Sequence, residues 1–152
     1  MKLSTKGRYG LRAMIDLALY SEQEPVSIQS IALRQNMSER YLEQLMASLK
    51  KAGLVTSIRG ASGGYQLAKP SIGISVGDIL RALEGDLRAV TCNAAGDDGG
   101  CENADLCVTR YVWQRINESI THAVDTMYLN QLVEESRKLK EKGQTQPTGC
   151  QG

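Results

Sequence analysis

Two short amphipathic stretches separated by only three residues set the tightest limit on how this chain folds. Ser27 can cap a short helix carrying Ile28, Ile31, Ala32 and Leu33. Asn36-Met37-Ser38 then reads as a tight turn, and Ser38 is placed to cap a second helix running to about Ala52. That second helix puts Leu42, Leu45, Met46 and Leu49 on one face. Arg40, Glu43, Ala47 and Lys50 lie on the other, with Gln44 beside them, the pattern of a half-buried helix. Gly53 follows as a stop, through its easy left-handed conformation. An earlier helix is predicted over residues 7–20, where Leu11, Met14, Ile15, Ala18 and Leu19 share a face, and Pro25 closes the loop after it.

Downstream, residues 55–59 and 65–67 are β-like, and residues 60–64 form a glycine-rich hairpin turn between them. Ser75 starts a further helix with Val76, Ile79, Leu80 and Leu83 on one side, and Gly85 ends it. Helix, short helix, three-residue turn, helix and glycine-tipped hairpin make a winged helix-turn-helix, a mainly α fold with a small β-wing, over residues 1–85. Residues 86–107 form a loop rich in Gly, Asp and Cys. From about residue 108 to residue 127 a long amphipathic helix carries Val108, Val112, Ile116, Ile120, Ala123, Val124 and Met127, roughly the spacing of an interhelical seam. With a shorter helix over 129–142 it makes a dimerisation arm over 108–142, and residues 143–152 read as a disordered tail.

The net charge of +1 does not mark a strongly basic chain, but its distribution is uneven. Residues 1–60 hold nine Lys or Arg against five Asp or Glu, whereas residues 61–152 hold nine against twelve. A basic front and an acidic back fit a nucleic-acid-reading head joined to something else. No apolar run approaches the roughly 18 residues of a membrane span, and the basic opening lacks the apolar stretch of a secretory signal. The expectation is a cytoplasmic chain with no membrane partner.

In such a head the helix opening at Ser38 enters the major groove end-on, where its first residues reach base edges. Arg40 and Tyr41 hold the early positions, with Glu43 and Gln44 one turn later. Arg59 stands beside the hairpin tip, suited to a narrow minor groove. Lys2, Lys6 and Arg8 are candidates to clamp phosphate. Glu43 has two open readings: a carboxylate that accepts from a cytosine amine, or an ordinary solvated helix charge.

Four cysteines occur, at 92, 101, 107 and 150, and the first three cluster. Cys92-x8-Cys101-x5-Cys107 contains no Cys-x2-Cys knuckle and so is not a zinc finger. Soft thiolates just before a helix N-terminus suit an iron–sulfur cluster, whose negative charge that terminus favours. Gly96, Gly99 and Gly100 let the loop wrap closely around a cofactor. Plain reduced thiols in an acidic loop are the alternative. A nucleophile–base pair and a phosphate-binding glycine loop are both lacking, and there is a single histidine, so neither an enzyme nor a small-molecule substrate is expected. A cluster-binding redox carrier and a zinc-stabilised module remain rival readings.

The stretch Leu3-Ser4-Thr5-Lys6-Gly7-Arg8-Tyr9 resembles the opening of the IscR-type winged-helix regulators. So do Tyr41-Leu42-Glu43-Gln44-Leu45, Ala52-Gly53-Leu54-Val55, and Arg59-Gly60 leading to Gly63-Gly64-Tyr65. The likeness covers about residues 1–130. It implies a homodimer on double-stranded DNA, a major-groove helix starting at Ser38, a wing carrying Arg59, and a [2Fe–2S] cluster on Cys92, Cys101 and Cys107. It also implies control of iron–sulfur cluster assembly genes. Relatives on this scaffold sense nitric oxide or cysteine supply, and a nitric-oxide-sensing repressor is the nearest rival. In the family a histidine three residues after the last cysteine completes the ligand set; here that place is Arg110, which cannot ligate. The fourth ligand stays open among Asp97, Asp98, Glu102, Asp105, His122, Cys150, water, an added thiol, or Glu43 of the partner subunit.

Overall fold

The computed structural model describes residues 3–90 and 106–143. Helix α1 (Thr5–Tyr20) starts two residues earlier than its apolar pattern indicates, because Ser4 is extended and its hydroxyl accepts the Lys6 amide at 3.2 Å. Ser27 caps α2 (Ile28–Gln35) through the Ser30 amide, and Asn36 turns the chain in the left-handed region at φ 51°. Ser38 then caps α3 (Glu39–Lys51), accepting the Tyr41 amide at 3.2 Å, and Gly53 follows at φ 77°. The buried face of α3 is Leu42, Leu45, Met46 and Leu49, as its period requires. In α2 the apolar residues outnumber the places available inside: Ile31 and Ala32 are buried, whereas Leu33 is 84% exposed.

Strands β1 (Val55–Ile58) and β2 (Gly64–Leu67) pair antiparallel, Val55 opposite Leu67 and Ile58 opposite Gly64. Arg59, expected within the first strand, falls just past its last pair. Val26 and Tyr65 exchange both backbone hydrogen bonds at 2.8 Å, which stitches the wing to the loop before α2. A 3₁₀ turn (Ser71–Gly73), which had no sequence signal, precedes α4 (Val76–Glu84). That helix opens with a reciprocal capping box between Ser75 and Asp78. Helices α5 (Thr109–Asp125) and α6 (Leu129–Glu141) are the last elements among the described residues. Their junction is held to the start of α4 by Val76 N–H on the Met127 carbonyl at 2.8 Å and Leu129 N–H on the Ile74 carbonyl at 2.9 Å.

The main core draws on α1, α2, α3, β1 and α4, and also on Leu129 and Val133 of α6. A second, smaller core joins Val76, Leu80 and Leu87, with Leu3, Leu11, Ile120, Val124 and Leu132 packed against it. The apolar stripe of α5 therefore divides. Ile120 and Val124 pack inward, while Val108, Val112 and Ile116 face solvent, and α5 has no fully buried residue. Among the described residues no helix is long and apolar enough to cross a membrane.

Candidate nucleic-acid interface and cysteine centre

Arg40, Glu43 and Gln44 are exposed on the outer face of α3, opposite its four buried leucine and methionine side chains. Ser38 is occupied as the N-cap, so its hydroxyl orders the first turn of the helix. Tyr41 is half-buried and turned toward α1. Its hydroxyl donates to Thr5 Oγ1 at 3.2 Å, and its ring meets Tyr9 edge-on with centroids 6.0 Å apart. Lys6 and Arg8 lie in the first turn of α1, so Tyr41 ties the start of α3 to the segment that carries them. Arg59 is exposed at the wing. Lys2 lies outside the described residues.

Part-buried polar contacts tie α1 to α2. Asp16 is 1% exposed and accepts from Nε and Nη2 of Arg34, at 2.9 and 2.7 Å, together with Gln35 Nε2 at 2.8 Å. Arg12 returns the contact to the Gln35 carbonyl at 2.8 Å. A bidentate pair of this kind fixes direction as well as distance. The only sequence signal for it was a carboxylate interleaved among Ala13, Met14 and Leu17. Glu84 was equally unforeseen. An acidic residue in the last turn of a helix opposes the helix dipole, the one signal in the sequence that could have pointed to it. It finds one at the N-terminus of α1, where it accepts from the amides of Ser4 and Gly7.

Of the three clustered cysteines, Cys107 alone is among the described residues; Cys92, Cys101 and the carboxylates at 97, 98, 102 and 105 lie outside them, as does Cys150. Cys107 is exposed, two residues before α5. The Thr109 hydroxyl lies 3.0 Å from its sulfur. That hydroxyl, the backbone amides of Arg110 and Thr109, and the charge of Arg110 hold the thiol below its ordinary value. A soft, thiolate-favouring sulfur at a helix start fits an iron–sulfur ligand. His122 lies far along α5, lining an open hollow with Arg88, Asn117 and Asp125.

The family model for Rrf2, described as an iron-dependent transcriptional regulator, matches residues 3–135. The chain belongs to the Rrf2 family. Among its Rrf2 relatives, the HTH-type transcriptional regulator IscR of Vibrio cholerae is 40% identical over 140 residues, which is 92% of this chain and 79% of the relative. Two solved Rrf2-type structures are similar over nearly their whole length. The global cysteine regulator CymR of B. subtilis is 44% identical with a TM-score of 0.73, over 89% of this chain and 98% of that one. T. potens IscR is 42% identical with a TM-score of 0.72, over 96% and 93%. This Rrf2 member is a DNA-binding transcription regulator and not an enzyme, as its relatives are.

Proposed function

We propose that this regulator is a cytoplasmic homodimer whose operator affinity or selectivity is set by an iron–sulfur cluster, a [2Fe–2S] centre held on Cys92, Cys101 and Cys107. On this reading residues 1–85 read double-stranded DNA, residues 86–107 hold the cluster, and residues 108–142 join the subunits. The observation that carries it is Cys107: an exposed thiol held toward thiolate at the start of a helix whose leading apolar side chains, Val108, Val112 and Ile116, are uncovered. A ligand site and a subunit seam then share one helix. When bound, the cluster supplies an anionic, oxidation-sensitive centre.

The chain's own residues do the rest. Arg40 and Gln44 address base edges and Glu43 discriminates among operators. Arg59 enters the minor groove, Lys2, Lys6 and Arg8 grip phosphate, and Ser38 and Tyr41 hold the reading helix in place. Coupling between the two sites need amount to only about 1–3 kcal/mol to change regulation. The genes controlled are those of iron–sulfur cluster assembly, and no small-molecule substrate is involved.

The likeness to CymR favours a second reading, in which the signal is cysteine supply. One experiment separates the two. Anaerobic incubation with ferrous iron and sulfide gives stoichiometric iron and sulfide and a visible spectrum in the wild type, and each of Cys92→Ser, Cys101→Ser and Cys107→Ser loses them. DNA selection with loaded and empty protein follows. A wild type that takes up neither iron nor sulfide rejects the cluster reading in favour of the second.

A further inference from the structure

Residues 86–90 lead from α4 into the cysteine loop. Their first part is held by means visible in most loops: Leu87 is buried in the second core, and Asp86 pairs with Arg88 at 2.7 Å. The last two residues are held differently, by one side chain of α5. Asn117 Oδ1 accepts the Ala89 amide at 2.8 Å, and Asn117 Nδ2 donates to the Val90 carbonyl at 3.0 Å. The carboxamide thus does for this segment what a neighbouring strand does for a sheet edge.

Few side chains can take both bonds from this place. Aspartate accepts but cannot donate, and leucine or alanine does neither. Asparagine is a poor helix former, so its place in the middle of α5 is not explained by the helix itself. Ile120, one turn on, packs on the same small core as Leu87. Asn117 and the root of the loop are therefore referenced to one rigid patch. In sequence, Cys92 follows Val90 by two residues.

We propose that Asn117 is the positioning residue for the iron–sulfur centre: it fixes residues 89 and 90, the part of the chain that precedes the first cysteine ligand in sequence. This rests on the cluster reading above. Groups that orient metal ligands without touching the metal commonly cost 10- to 100-fold in affinity when removed.

The test uses the full-length protein with Asn117→Ala and Asn117→Asp. Three properties are measured: hydrogen exchange at the Ala89 amide, the visible circular dichroism of protein loaded with iron and sulfide, and the rate of cluster loss in air. In Asn117→Ala the Ala89 amide exchanges faster, the circular dichroism changes, and the cluster is lost about tenfold faster or more. Asn117→Asp keeps Ala89 protected but sets a carboxylate oxygen against the Val90 carbonyl, so its cluster is also short-lived. This second variant carries the test if the alanine variant does not fold. A wild type that never loads overturns the cluster reading, and this inference with it. Wild-type circular dichroism and cluster lifetime in the variants, with the wild type loading normally, overturn the role of Asn117 alone.

Discussion

The Glu84 carboxylate accepts the Gly7 amide at 2.8 Å, so the last residue of α4 caps the first turn of α1. It also takes the Ser4 amide at 3.0 Å and the Ser4 hydroxyl at 2.5 Å. Partial burial pushes this carboxyl up, but the three hydrogen bonds, with Lys6 nearby, outweigh that and hold it below its ordinary value of 4.5.

Glu84→Ala is therefore expected to lower stability by about 1–2 kcal/mol, the range for losing a helix cap, and to weaken DNA binding because Lys6 and Arg8 share that turn. Glu84→Gln keeps an acceptor and loses less. Because the carboxyl is depressed in the folded state, its stabilisation is full above pH 4.5 and fades as pH falls through the lower folded value. Urea unfolding of wild type and Glu84→Gln across pH 3–6 checks this: the two curves converge at the acid end. A gap that stays constant to the lowest pH contradicts it.

Gly10 is expected to reject alanine. In an exposed helix that exchange stabilises by about 1 kcal/mol, but here the new β-carbon overlaps a δ-methyl of Leu83. Overpacking of this kind costs about 1–3 kcal/mol. In a double-mutant cycle with Leu83→Ala, the combined loss falls short of the sum of the two single losses, since each makes room for the other. Strict additivity in thermal unfolding rules the contact out as the cause.

Asp16→Ala leaves the Arg34 guanidinium and Gln35 amide without their acceptor beneath the helix-turn-helix. Removing one partner of a fully buried pair costs about 3–5 kcal/mol, and this one falls below that, at about 1–3 kcal/mol, because the Arg34 side chain is 32% exposed and water takes up part of its hydrogen bonding. Chemical denaturation measures it directly. A loss under 1 kcal/mol means the pair does not tie α1 to α2.

On DNA, Lys6→Ala is expected to weaken binding to all sequences alike and to reduce the salt slope by about one phosphate contact. Glu43→Ala acts otherwise, relaxing the choice among operators with little change in slope. Fluorescence anisotropy titrations at several salt concentrations, on a cognate and a scrambled duplex, distinguish these effects. Identical behaviour of the two variants contradicts the division of labour.

Val112 and Ile116 are exposed in the single chain. If α5 forms the subunit seam, Ile116→Glu converts the dimer to a folded monomer with far weaker operator binding, while the helical content read by circular dichroism is kept. Sedimentation velocity at micromolar concentration supplies the measurement, and a dimer of unchanged affinity excludes this face.

Local signals were legible where a boundary residue and a periodic face agreed. Ser38, the four buried positions of α3 and Gly53 needed nothing from elsewhere in the chain. The stripe on α5 was legible as apolar but not as divided, because period alone cannot say that Ile120 packs on the small core of α4 while Ile116 stays exposed. The contacts that hold the candidate sites were the least visible. Glu84 reaches back 77 residues to Gly7, and Asn117 reaches 28 to Ala89. Neither spacing has a motif, and each depends on two helices being packed first. Tyr41 was legible as a member of α3, but its turn toward Thr5 and Tyr9 was not.

Leu129 is wholly buried and Val133 nearly so, in the same core as α1, α2 and α3. The core built by α1, α2 and α3 thus borrows wall material from beyond the cysteine segment. A reporter or biosensor made by truncating after α4 would carry a hole where these two side chains belong. The packing around α1, α2 and α3 is discontinuous in sequence, closed by two side chains of α6.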